Sequence, residues 1–182
     1  MIRKNYLYTI LIILLLGIGA VFYLDQFLEW KRPAPSWERL ERQLTQNYAD
    51  IKPILPSQLL PKLAKADDKN WILLDVRPAK AFAISHISQA LNTPAPKAAV
   101  AAAAGKELVV LYDETGRGAA DMGHEMINLG FKGNIQRLKG GIFTWANEKH
   151  PMVNGDDKPA EKVSPGSDAH WAKLLPDNLL EK

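Results

Sequence analysis

Apolar residues fall in two patterns along this chain: one long uncharged run near the start, then short spaced groups. Asn5 to Leu24 (NYLYTILIILLLGIGAVFYL) holds twenty residues without a charge. As a helix it would be about 30 Å long, close to the thickness of a bilayer's hydrocarbon core, and it predicts one transmembrane helix. Tyr6, Tyr8, Phe22 and Tyr23 lie towards its ends and Trp30 just beyond, as in an interfacial aromatic belt. A cleaved signal peptide is the competing reading, but the run is long for one, and Ile18 suits poorly the position two before a cut at Ala20. Residues 1–24 therefore read as an uncleaved signal anchor. Gly17 and Gly19 are two apart, which is not the spacing of a helix-dimerising GxxxG pair. Arg3 and Lys4 precede the run, whereas Lys31, Arg32, Arg39 and Arg42 follow it, so a raw count of cations favours the far side as cytoplasmic. The short basic tail resembles a signal-anchor n-region and sets the opposite expectation: a single-pass membrane protein whose soluble part is extracytoplasmic, periplasmic in a bacterium.

The spaced groups predict a folded domain. Residues 25–49 read as a juxtamembrane linker, broken by Pro33 and Pro35, and a helix over Trp37–Tyr48 with Trp37, Leu40 and Leu44 on one face. Docking of that face on the domain is the expectation, with a partner-binding helix as the alternative. Residues 51–55 are short and extended, and Pro56 opens a brief helix. WILLD (71–75) and ELVVLY (107–112) are apolar without alternation and ask for strands buried on both faces. Shorter strands are expected at 90–92 and 134–138. Helices are expected at 79–85, 97–104, 118–129 and 141–147, with Ala119, Met122, Met126 and Leu129 sharing a face. Strands separated by helices give an α/β fold with a mainly parallel sheet. The domain is placed at 50–152. Residues 153–182 are expected to form a mobile tail, although Trp171, Leu174 and Leu175 offer docking residues near its end.

Composition removes several functions. The chain has no cysteine, so disulfides, iron–sulfur clusters and thiolate-ligated zinc are excluded. The net charge of +3 comes from scattered lysines and supports no nucleic-acid contact. His86, His124, His150 and His170 show no metal-ligand spacing.

Three segments carry a family resemblance. LLDVRPAKAFAISHISQALNTP at 73–94 offers Asp75, Val76, Arg77, Phe82, His86, Ile87, Ala90, Leu91, Asn92 and Pro94. VVLYDETGRGA at 109–119 is a strand running into a loop. GFKGNIQRLKGGIFTWANEKHPM at 130–152 offers Gly130, Phe131, Leu138, Gly140, Gly141, Trp145 and Pro151. In this order and spacing they resemble the motifs of rhodanese-like domains, and imply that family's three-layer sandwich around a mainly parallel central sheet. The resemblance also implies a six-residue active-site loop that starts with cysteine and ends with arginine. Its N–H groups and the following helix would cradle an anion and lower the thiol pKa. Here the six places are Asp113, Glu114, Thr115, Gly116, Arg117 and Gly118. Ala81 and Ser85 depart from the first motif, where glutamate and glycine are usual.

A carboxylate cannot carry sulfur as a persulfide, so this degenerate loop is read as holding no catalytic residue, cofactor or metal. Asp113 is expected to fill the cradle as an internal anion. Aspartyl-phosphate chemistry at Asp113 would need a metal and further carboxylates, and Glu114 is the only local one. Asp75 and Arg77 read as a structural pair, and His86 as packed and hydrogen-bonded. A positive φ at Gly118 would bar arginine there on backbone grounds. The favoured function is a membrane-anchored, inactive rhodanese-like module that binds a protein partner, membrane proteins being among the candidates. The alternative is a divergent sulfurtransferase that borrows a thiol from a partner or small molecule.

Overall fold

WILLD and ELVVLY become adjacent strands inside a five-stranded sheet, and their ends lie level. The computed structural model describes residues 2–31, 33–65, 70–166 and 168–181, and divides into two units, Met1–Ala34 and Pro35–Lys182.

The first unit is helix α1 (Ile2–Lys31), which runs on through the first part of the expected linker and stops ahead of Pro33 and Pro35. Its described side chains from Ile10 to Val21 are all exposed. Those of Asn5, Tyr6, Leu7, Thr9 and Phe22 lie outside the described residues, so the expected spanning run is described only in part. The same holds for the side chains of Arg3, Lys4, Asp25, Glu29 and Trp30, on which orientation and the aromatic belt rest. Among the described residues no helix is long and apolar enough to cross a membrane.

The second unit begins with α2 (Trp37–Asn47), β1 (Lys52–Ile54) and α3 (Pro56–Leu63). It continues with β2 (Trp71–Asp75), α4 (Ala79–Ile84), β3 (Leu91–Asn92) and α5 (Pro96–Ala102), then β4 (Leu108–Tyr112), α6 (Arg117–Asn128), β5 (Asn134–Leu138) and α7 (Gly141–Asn147). The sheet order is β1-β5-β4-β2-β3 and every pairing is parallel. Alternate residues of β4 point to opposite layers. Val110 and Tyr112 pack with Leu59 of α3 and with Ile142, Phe143 and Trp145 of α7. Val109 and Leu111 pack with Ala99 of α5 and Ala119, Met122 and Met126 of α6. This is the three-layer α/β sandwich that the apolar runs require, since a strand buried on both faces needs helices on both.

Helix α2 docks on the domain as its apolar face predicts: Leu40 and Leu44 are buried against Ala120 of α6. A polar contact fixes it further. Arg137 of β5, fully buried, donates from Nη1 and Nη2 to the two carboxylate oxygens of Glu41 at 2.9 and 2.8 Å. A planar fork on a carboxylate is the geometry that makes such a pair specific.

The carboxy-terminal segment does not trail away as the expected mobile tail; it packs on the domain. Strands β6 (Met152–Val153) and β7 (Pro159–Ala160) form an antiparallel ribbon, and Val153 exchanges backbone hydrogen bonds with His86. Val163 N–H donates to Leu179 O at 2.8 Å, and Glu181 N–H to Val163 O at 2.9 Å, closing a loop around helix α8 (Ala169–Ala172) and a 3-10 turn (Asp177–Leu179). Val163 and Leu175 are buried in the core. Glycine, proline and charge dominate the composition here, but a few well-spaced apolar side chains are enough to hold the segment down.

The domain boundaries 50 and 152 therefore cut through packed structure. A fragment 35–182 is expected to unfold cooperatively. A fragment 50–152, which lacks Leu40, Leu44, Val163 and Leu175 and strands Arg137 without Glu41, should lose at least about 4 kcal/mol. Equal stability of the two in urea would show that α2 and the carboxy-terminal segment add nothing.

Candidate functional site

Parallel registry builds the site. Asp75 at the end of β2 lies beside Tyr112 at the end of β4, so the segments leaving both strands emerge together at the carboxyl edge of the sheet. Val76 N–H donates to Tyr112 O at 2.9 Å and ties them. Ligands of open α/β sheets bind at this edge.

Asp113–Gly118 is the turn from β4 into α6. Gly116 has φ +92°, and a methyl group on it would lie 3.0 Å from Leu138 O, so conformation and space both demand glycine. The turn curls around the Asp113 side chain. Gly116 N–H donates to Asp113 Oδ1 at 2.5 Å, and Gly118 N–H to Oδ2 at 2.8 Å. Asp113 is 8 % exposed and sits at the amino terminus of α6, where N–H groups lack helical partners. The cradle is filled from within by the protein's own carboxyl. Gly118 is helical, and the positive φ lies two residues earlier. The constraint at Gly118 is space, not backbone: a Cβ there would lie 3.0 Å from Asp113 Oδ2, so the carboxylate would have to shift slightly to admit one.

Helix α7 closes the loop from the other side. Ile142 N–H donates to Asp113 O at 2.9 Å and Phe143 N–H to Glu114 O at 3.0 Å. This close approach needs Gly141, where a Cβ would come within 2.4 Å of Asp113 O.

The first motif supplies the wall. Arg77 is 1 % exposed; its Nε and Nη2 donate to Asp75, at 3.0 Å to Oδ1 and 2.6 Å to Oδ2, and Nη2 also donates to Ser85 O at 2.5 Å. Burial alone would lower the Arg77 pKa, but the hydrogen bond and charge of Asp75 outweigh it and keep the guanidinium protonated. The pair is structural, as expected, and leaves Arg77 engaged. His86 stacks on Phe82 with ring centroids 3.7 Å apart and its Nδ1 lies 3.0 Å from Phe82 O, a packed role. The other three histidines are dispersed, and among the described residues no group of acids and histidines could hold a metal ion.

Above the loop lies a cavity of about 470 Å³. Arg77, Asp113, Glu114, Thr115, Arg117 and Gly118 line it together with Asp121 and Glu125 of α6. Pro78, Pro94 and Pro96 form one apolar side. Pro165, Gly166, Asp168 and Trp171 of the carboxy-terminal segment form the other. Five carboxyl groups face two guanidiniums, one of them held by Asp75. Burial pushes the Asp113 carboxyl up, while the N–H groups of Gly118, Gly116, Ala119 and Thr115 pull it back. Burial, and then the neighbouring Asp113, push Glu114 up to about 7 against the opposing charge of Arg77. Five of the six places of the loop line the cavity, and Gly116 forms the turn beneath them. What sequence reasoning missed is the far wall, and the apolar cluster around Trp171 was its only signal.

A family model described as Rhodanese-like domain matches residues 60–148. None of the curated proteins matches the chain. Among solved structures, BH2092 of Bacillus halodurans is similar at TM-score 0.51 and 20% identity, over 69% of this chain and 90% of its own. The thiosulfate sulfurtransferase of Pseudomonas aeruginosa is similar at TM-score 0.54 and 15% identity, over 72% of this chain and 25% of its own. The match thus spans about a quarter of that enzyme's length, and at these identities the likeness is one of fold.

Proposed function

From the premise that residues 60–148 are a rhodanese-like domain, we propose that this chain is a non-catalytic binding module, held at a membrane by residues 5–24, that presents its Asp113–Gly118 face to a protein partner. One observation carries the reading: the loop N–H groups that would hold an anionic sulfur species are spent on the Asp113 carboxylate. The chain also has no thiol to accept sulfur. What remains is a shaped, charged cavity on a rigid α/β scaffold, a usual place for recognition.

The anchor rests on the twenty uncharged residues and on the helical backbone of α1, whose consecutive exposed aliphatic residues clothe its whole circumference. A helix apolar on every side needs a protein core or a lipid one. Attachment confines the domain to a surface and raises its effective concentration towards membrane-bound partners. The basic tail Arg3–Lys4, read as a signal-anchor n-region, supports a domain outside the cytoplasm.

The absence of cysteine permits one test of both parts. Lys162→Cys, at an exposed position close in sequence to the cavity wall, is treated in whole cells with a membrane-impermeant maleimide that carries a photo-cross-linker. Labelling without lysis and a cross-linked protein that disappears with Arg117→Glu are expected. Labelling only after lysis reverses the orientation. A cross-link indifferent to Arg117→Glu removes the loop face from the interaction.

A further inference from the structure

No residue of α2 lines the cavity, yet the helix touches its wall, its rim and the underside of its loop. Trp171, in the far wall, packs with Leu40 and Leu44. The hydroxyl of Tyr48, at the end of α2, donates to Asp121 Oδ1 on the rim.

The contact beneath the loop runs through Arg137. This residue stands near the end of β5, and its side chain is wholly buried. A Cβ on Gly116 would lie 3.4 Å from Arg137 Nη1 and 3.0 Å from Leu138 O. The left-handed turn of the loop therefore packs on the guanidinium and on the backbone beside it. That same turn aims the Gly116 N–H at Asp113 Oδ1. Among the described residues Glu41 accepts every hydrogen bond that the Arg137 side chain makes. Nη1 and Nη2 both donate to it, and Nε has no partner. Glu41, Arg137 and Gly116 thus form one chain of contacts from the helix to the loop.

A buried ion pair adds little net stability, because the cost of desolvating both charges offsets their attraction. What a fork on a carboxylate does supply is direction: it fixes the plane and position of the guanidinium. We propose that Glu41 is a positioning residue for the Asp113–Gly118 face, which fixes Arg137 under Gly116 and so sets the turn that aims the loop N–H groups. The inference rests on the reading of that face as a docking surface, since the pose of the loop then bears on recognition.

The test contains no partner, so its failure leaves the docking reading standing. The full chain in detergent micelles is followed by amide hydrogen exchange at Gly116 and Gly118, the donors to Asp113. Val110 and Leu111 of β4 are the reference, and urea unfolding reports global stability. The decisive variant is Glu41→Leu with Arg137→Leu, because apolar residues of similar volume commonly replace a buried pair without loss of stability. Its urea midpoint should stay near the native one, while exchange at Gly116 and Gly118 rises at least about tenfold over the β4 reference. A merely structural pair would be replaced in full, so native protection of the loop in this variant overturns the proposal. Glu41→Gln, which keeps an acceptor but loses the charged fork, should loosen the loop less than the double variant does. If the double variant fails to fold, Glu41→Gln decides: loop and β4 amides that change equally overturn the proposal as well.

Discussion

Asp113→Cys combined with Gly118→Arg is expected to give weak but measurable thiosulfate:cyanide sulfurtransferase activity, where none is expected of the native protein. The native chain lacks any group able to form a persulfide, and a carboxyl group with its own hydrogen bonds fills the place of the sulfur. Cysteine supplies the nucleophile and withdraws a charge. It also frees the N–H groups of Gly116 and Gly118 to face a thiolate at a helix amino terminus, which lowers a thiol pKa. Arginine at 118 adds the cation with which rhodanese-like loops close, and helical backbone at that position admits it. An opposite charge at that range shifts a pKa by about 1–3 units, so turnover of the double variant at neutral pH should exceed that of Asp113→Cys by about tenfold. Glu114 beside the loop will hold the rate down. Cyanide-dependent thiocyanate formation measures the series. Turnover by the native protein, abolished by Asp113→Ala, would instead make Asp113 part of an enzyme.

Arg77→Leu is expected to destabilise the domain by about 3–5 kcal/mol, a large share of the about 5–15 kcal/mol that holds an ordinary domain together. The substitution leaves Asp75, wholly buried, without its cation, and leaves Ser85 O without its donor. Burying an unpaired carboxylate costs more than the pair contributes when intact. Urea unfolding of residues 35–182 measures the loss. Arg42→Ala serves as the control, because its partner Glu38 is one helical turn away on an exposed face and the midpoint should hardly move. Similar losses for the two variants would mean that Asp75 finds another partner or protonates at little cost.

Much of this architecture is legible because it is local. WILLD and ELVVLY announce buried strands by lack of alternation, and Leu40 and Leu44 announce a docking face by helical spacing. The six-residue loop is legible because its flanking motifs keep their distance from it. What escapes is contact between remote residues. Arg137 and Glu41 are 96 positions apart, and neither sits in a pattern that calls for the other. The meeting of Glu114 with Gly166 is of the same kind, and average composition argued for a mobile segment there. The raised pKa of Glu114 was illegible for that reason: it is a property of burial, which no string of residues near Glu114 reveals.

The 3.0 Å between Asp113 Oδ2 and the place where a Cβ of Gly118 would stand also sets an order of events. While aspartate occupies 113, a side chain at 118 asks the carboxylate to give by a few tenths of an ångström, so the two positions are coupled. Installing cysteine at 113 before arginine at 118 is therefore expected to be the smoother order, because the first change removes the oxygen that the second would crowd.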